Sequence, residues 1–135
     1  MAGYSGTPLA TKLGIKAHDV VGVLSEPEGF RALLAPLPAG VEFRTSARGN
    51  LDVVVAFFVE RRDFEKRLGA MGRAVFPSGG LWIAWPKKAS KVPTTMTEDV
   101  VREVALPTGL VDNKVCAIDD TWSGLRVVWR KELRS

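Results

Sequence analysis

Two runs in this chain are apolar at successive positions: Leu51-Asp52-Val53-Val54-Val55-Ala56-Phe57-Phe58-Val59 and Leu81-Trp82-Ile83-Ala84-Trp85. Continuity of this kind, unlike alternation, marks strands covered on both faces, the habit of parallel sheets flanked by helices. A shorter run over residues 20–24 reads the same way. Between the two longer runs, Phe64, Leu68, Met71 and Val75 recur at steps of four, three and four, and predict a helix over residues 63–75. Pro77-Ser78-Gly79-Gly80 then makes a turn into the next strand.

The weaker signals fill in the order. Thr7-Pro8 opens a short helix over residues 9–13, which Gly14 stops. Residues 28–35 read as a helix with Phe30, Leu33 and Leu34 on one side, ended by Pro36 and Pro38. Residues 41–44 form a short strand. Thr97 caps a helix over residues 98–106, where Glu98 and Asp99 suit the positive end of the dipole and Val100, Val101, Val104 and Ala105 face inward. Residues 114–118 form a strand, and Asp119-Asp120-Thr121-Trp122-Ser123-Gly124 a turn. In the last strand, residues 125–130, Leu125, Val127 and Trp129 alternate with Arg126, Val128 and Arg130, which predicts an edge strand. Strand–helix alternation closed by a hairpin argues for an α/β fold, a three-layer Rossmann-like sandwich. Its sheet is mostly parallel and ends in an antiparallel C-terminal hairpin strand. With 135 residues and no internal shift of composition, residues 1–135 are expected to form one domain.

Composition removes several classes of function. One Cys excludes a disulfide framework, and one His excludes a multi-histidine metal centre. No apolar run approaches the roughly 18 residues of a membrane span. The first residues lack the basic-then-apolar order of a secretory signal, so a cytoplasmic location is expected. The net charge of +4 hides an uneven distribution. From Arg61 to Lys91, eight basic residues face two acidic ones, a local +6 that leaves −2 for the remainder.

In open α/β sheets, ligands bind outside the carboxyl ends of the strands, which directs attention to three loops. Ser25-Glu26-Pro27-Glu28-Gly29 follows the first strand. It lacks the glycine pattern that lets a backbone approach a pyrophosphate, so nicotinamide cofactor use is not expected and no cofactor is assigned. Pro86-Lys87-Lys88-Ala89-Ser90-Lys91 leaves the sheet beside Trp82 and Trp85. It reads either as a solvated basic loop or as an anion-binding loop. Asp119 to Gly124 reaches the same edge, either as a hairpin turn or as a loop that sets carboxylates against the lysines and offers Trp122 as a flat face. The candidate ligand site is therefore Trp85, Lys87, Lys88, Asp119, Asp120 and Trp122, with no catalytic residue and no metal ligand assigned. His18 lies at the opposite, amino edge, and Cys116 lies inside an apolar strand; both read as structural. Tyr4-Ser5-Gly6-Thr7 either folds over the carboxyl edge or leads into the first helix.

The second half of the chain resembles the distal half of S-adenosylmethionine-dependent methyltransferases, in which a Pro-Gly-Gly turn precedes the fifth strand and the last strand is antiparallel. This resemblance implies that fold and cofactor. The chain departs from it at the loop Ser25 to Gly29, which is not glycine-rich, and at Arg44, where an acidic residue is expected.

The chain also resembles a family of small bacterial proteins catalogued as domain of unknown function 3052. The matching strings are Ala2-Gly3-Tyr4-Ser5-Gly6-Thr7-Pro8-Leu9, Lys12-Leu13-Gly14-Ile15, Gly80-Leu81-Trp82-Ile83-Ala84-Trp85-Pro86-Lys87-Lys88 and Thr97-Glu98-Asp99-Val100-Val101-Arg102. Further matches are Gly109-Leu110-Val111-Asp112, Lys114-Val115-Cys116-Ala117 and Thr121-Trp122-Ser123-Gly124-Leu125. That family brings no activity with it.

Three functions follow as expectations. The first is a non-catalytic module that binds an anionic small molecule or protein partner at the carboxyl edge. The second is a divergent methyltransferase-like enzyme. The third is nucleic-acid binding through the Arg61–Lys91 segment, ranked last because its helix carries no interleaved aromatics. The Arg126/Arg130 edge strand is also open to pairing with a second copy, although charges of this kind generally discourage it, and no oligomeric state is assigned.

Overall fold

The computed structural model describes Thr7–Arg134; the segment Tyr4-Ser5-Gly6, a candidate cover for the carboxyl edge, lies outside the described residues. Six strands form one sheet: β1 (Val20–Leu24), β2 (Glu42–Arg44), β3 (Val53–Phe57), β4 (Gly80–Pro86), β5 (Leu110–Ala117) and β6 (Trp122–Trp129). Their spatial order is β2-β1-β3-β4-β6-β5. The first four are mutually parallel, while β6 runs antiparallel to both β4 and β5.

The strands that these two apolar runs form, β3 and β4, are buried at every position. The reason is a helical layer on each face. Helices α3 (Arg61–Val75) and α4 (Glu98–Ala105) cover one face. There Phe64, Leu68, Met71 and Val101 pack on Val54, Ala56, Ile83 and Leu125. Helices α1 (Leu9–Lys12) and α2 (Phe30–Leu33) cover the other, where Leu13, Phe30 and Leu34 pack on Val55, Phe57 and Trp82. The Trp82 indole donates to the Leu13 carbonyl at 2.9 Å and ties the end of α1 to the sheet. Burial of these side chains, at about 1.5–3 kcal/mol each, is the main term holding the layers together.

Helix ends follow local chemistry. Thr97 Oγ1 accepts the Val100 amide at 3.1 Å, the N-cap expected from the sequence. Helix α2 is shorter than its pattern predicts: it begins after Gly29, which takes φ +84°, and Leu33 stays 43% exposed. Helix α3 starts two residues earlier than its apolar periodicity indicates. Gly79 is required by close approach, since a Cβ there would meet the Leu51 and Asp52 carbonyl oxygens at 2.7 and 2.9 Å.

One topological expectation is corrected. The last strand is not at the edge; β6 lies between β4 and β5, and β5 takes the edge, with Val115 53% exposed. The alternation in the sequence arose because Arg126 is half-buried within the sheet face, its guanidinium lying over Gly80. An Arg126/Arg130 strand therefore offers no free edge to a second copy. A bulge between Asp112 and Lys114 interrupts the true edge. Among the described residues no helix is long and apolar enough to cross a membrane.

Candidate functional site

The chain leaves β1 for β2 on one side and returns to β3 on the other, so the order of strands reverses between β1 and β3. In open α/β sheets the crevice outside the carboxyl ends at such a reversal is where ligands bind. A cleft of ≈ 560 Å³ opens there, a size that accommodates a small organic ligand. Ser25 and Pro27 line it from the loop after β1, and Phe57, Phe58 and Val59 from the end of β3. Asp63, Lys66 and Arg67 come from α3, and Trp122 from the start of β6.

The aromatic part of the wall is braced. The Phe57 and Trp122 rings meet edge to face at 5.1 Å, and Phe57 meets Phe30 in the same way at 4.9 Å. The polar part stands in solvent: Ser25, Asp63, Lys66 and Arg67 are all exposed. Ser25 takes φ +54°, a left-handed conformation at the first residue after β1. Left-handed backbone costs an L-residue about 1–2 kcal/mol, and such residues cluster at functional sites. The turn that glycine makes in a glycine-rich loop is thus made here by a serine.

A strap fixes the start of α3. Val59 O accepts from the Thr95 amide at 3.0 Å and from Thr94 Oγ1 at 2.5 Å. Thr95 Oγ1 accepts the Arg61 amide at 2.6 Å, and Met96 is buried under the strap. Arg61 also pairs with Glu65 and with Glu103 of α4, hydrogen bonds that hold its guanidinium pKa above the ordinary range. The helix carrying Asp63, Lys66 and Arg67 is anchored at the end nearest the cleft.

The ground beside β2 is taken by the chain's own side chains. Arg31 lies over the Phe43 ring, 4.3 Å from its centroid, and pairs with Glu26 at 3.2 Å. Arg44, at the position where an acidic residue was expected, pairs with Glu42 at 2.8 Å. Ligand space is therefore on the β3 side of β1.

Of the six site residues read from the sequence, Trp122 lines this cleft. The lysine loop and the hairpin loop are neighbours: Pro86 pairs with Trp122, and the Lys87 amide donates to Thr121 O at 2.7 Å. Lys87 is half-buried and Lys88 exposed, at the start of a 3-10 turn. Trp85 is 7% exposed and packs in the layer of α3 and α4, so it is a core residue with no face to offer a ligand. Asp119 Oδ1 accepts the Thr121 and Trp122 amides at 2.8 and 2.7 Å; its carboxylate holds the hairpin turn. Asp120 is exposed. The sequence reading missed Ser25, Phe57, Asp63, Lys66 and Arg67 as cleft residues. What groups them is the order β2-β1-β3 in the sheet, which the apolar pattern of the sequence does not carry.

No family model and no curated protein matches the chain, so its resemblance to the bacterial family of unknown function is not confirmed. Solved structures do match. An S-adenosylmethionine-dependent methyltransferase from Aquifex aeolicus superposes with a TM-score of 0.64 at 16% identity, over 88% of this chain and 86% of that one. The fold is that of S-adenosylmethionine-dependent methyltransferases. The corresponding enzyme from Clostridium acetobutylicum gives 0.59 at 7% identity, over 89% and 87% of the two chains. The magnesium protoporphyrin IX methyltransferase of Synechocystis, solved with bound S-adenosylmethionine, gives 0.56 at 12% identity, over 90% and 74%. The methyltransferase-like architecture read from the sequence is confirmed. The leaning away from an enzyme, which follows from the absence of a glycine-rich loop after β1 and of an acidic residue at Arg44, is corrected: the solved structures that share this fold are methyltransferases.

Proposed function

We propose that this chain is a divergent S-adenosylmethionine-dependent methyltransferase that binds its cofactor in the cleft between the ends of β1 and β3. The observation that carries the reading is the cleft itself, at the strand reversal of a methyltransferase fold, with an aromatic wall and both signs of charge on its rim. Bound S-adenosylmethionine in the Synechocystis enzyme of the same fold supports the choice of cofactor.

The donor set suits a zwitterionic nucleoside sulfonium. Trp122 and Phe57 provide ring faces and edges for the adenine or the cationic sulfur. The Ser25 hydroxyl and the turned backbone beside it provide polar partners where a glycine-rich loop would. Asp63 is the carboxylate on the cleft wall and suits the ammonium or sulfonium charge. With Arg44 and Phe43 engaged elsewhere, the ribose hydroxyls would rely on Ser25 and not on a carboxylate after β2.

When bound, the cofactor would supply an electrophilic methyl group to an acceptor lone pair, the electron pair of the carbon–sulfur bond being left on sulfur as a neutral thioether. The acceptor's proton would pass to water, since the polar wall of the cleft, Ser25, Asp63, Lys66 and Arg67, stands in solvent. This chain's share of the work is to position the two reactants and to screen the cation, an effect of proximity and electrostatics without a nucleophilic side chain.

Isothermal titration calorimetry with S-adenosylmethionine tests the reading. Saturable heat in the wild type, and its loss in Trp122→Ala, is the expected result. Absence of heat at millimolar cofactor overturns it.

A further inference from the structure

The solvent side of α3 carries Arg62, Lys66 and Arg73, four and seven residues apart, all exposed and on one stripe of the helix. Gly69 fills the gap in that stripe. A Cβ there would lie 3.4 Å from Arg73 Nη1, so the Arg73 guanidinium lies back along the helix over Gly69 toward Lys66. At 1.5 Å per residue, Arg62 to Arg73 spans about 16 Å. Among the described residues none of Arg62, Lys66, Arg67 or Arg73 has a carboxylate within ion-pair distance. Arg61, on the same helix, has two. The stripe is thus a row of uncompensated cations that enters the cleft at Lys66 and Arg67.

The fold adds what the helix lacks. Trp122, supplied by β6, lines the same cleft as Lys66 and Arg67 and is braced by Phe57. Aromatic faces beside a basic track are the means by which single-stranded nucleic acids are held without sequence readout: phosphates follow the cations and an unstacked base lies on the ring.

We infer that the acceptor is a nucleotide of a single-stranded nucleic acid, its phosphates following Arg62, Lys66 and Arg73 and its base reaching the mouth of the cleft beside the cofactor, next to Trp122. The inference rests on the cleft being the reaction site proposed above. Transfer then forms a bond from a nitrogen or oxygen of that nucleotide to the methyl carbon, with the electron pair and proton balanced as given there.

Fluorescence anisotropy with a short labelled single-stranded RNA, and with DNA of the same sequence, tests it across a range of salt. Binding is expected with a negative dependence of log K on log salt; the tighter of the two identifies the sugar. Arg62→Gln/Arg73→Gln, which leaves the cleft wall intact, should weaken binding about tenfold and flatten the slope by about 1.4, at 0.7 per lost phosphate contact on a single strand. Trp122→Leu should weaken binding with the slope unchanged. Cofactor calorimetry on the Arg62→Gln/Arg73→Gln protein should match wild type. No RNA or DNA binding with cofactor binding intact overturns this inference alone, as does preference for a duplex or for polyglutamate. Nucleic-acid binding without cofactor binding in the wild type overturns the methyltransferase reading and the acceptor role with it.

Discussion

Phe57 and Trp122 meet edge to face, ring centroids 5.1 Å apart, where β3 ends and β6 begins. The contact joins a core residue to a half-exposed one and turns the second into a fixed wall of the cleft. Trp122→Ala removes the wall and an aromatic pair, which such contacts value at about 0.5–1.5 kcal/mol beyond buried area. Chemical denaturation should therefore show a modest loss of stability, while cofactor affinity falls at least tenfold. Trp122→Phe should recover most of both.

Trp85 gives the opposite pattern. It is core, packed under α3 and α4, and Trp85→Ala should cost about 3–5 kcal/mol, with cofactor affinity per folded molecule unchanged. A large affinity loss without a stability loss would contradict its placement.

The contrast between these tryptophans marks what the sequence disclosed. Continuous apolar runs revealed β3 and β4, and steps of four and three revealed α3, because burial on two faces and burial on one leave different periods. The partner of each strand left no such trace. The half-buried Arg126 made β6 look like an edge, although the lack of a side chain at Gly80 is what makes room for that arginine inside the sheet. Site residues were legible only where a loop was conspicuous for charge. Ser25 and Phe57 look ordinary in the sequence, and only the reversal of strand order between β1 and β3 brings them to one cleft.

Ser25 in a left-handed conformation yields a separable prediction. Ser25→Gly relieves the backbone while adding freedom to the unfolded chain, and should leave stability within about 1 kcal/mol of wild type. Ser25→Val places a β-branched residue at φ +54° and should lower it by about 2 kcal/mol or more. Denaturant midpoints check both. If the hydroxyl is a ligand partner, Ser25→Gly also weakens cofactor binding despite its stability.

Gly79→Ala drives a Cβ into two backbone carbonyl oxygens of the segment leading into β3, one of which, Asp52 O, accepts the Gly80 amide at 3.0 Å. A loss of about 1–3 kcal/mol is expected, the cost of overpacking a tight site. A neutral thermal shift would show that the turn can relax.

Burial raises the Cys116 thiol pKa, with Lys12 and Lys114 partly offsetting it. The native state therefore holds the thiol proton at a pH where the unfolded state has released it. Stability from this group is complete below the unfolded thiol's pKa of about 8.5 and declines as pH rises above it. Urea midpoints at pH 7 and pH 10 should fall further for wild type than for Cys116→Ala. Equal falls would contradict the burial.

The central claim concerns where the cofactor sits, and amide and indole shift mapping on isotope-labelled protein reads that directly. Two of the four indole N–H groups are tied to backbone carbonyls, Trp82 to Leu13 and Trp129 to Gly72. On addition of S-adenosylmethionine the Trp122 indole and the amides of Ser25, Phe58 and Val59 should move together, with the Trp82 and Trp129 indoles unchanged. Shifts confined to the surroundings of β2 or to the amino edge, or no shifts at all, would contradict the account.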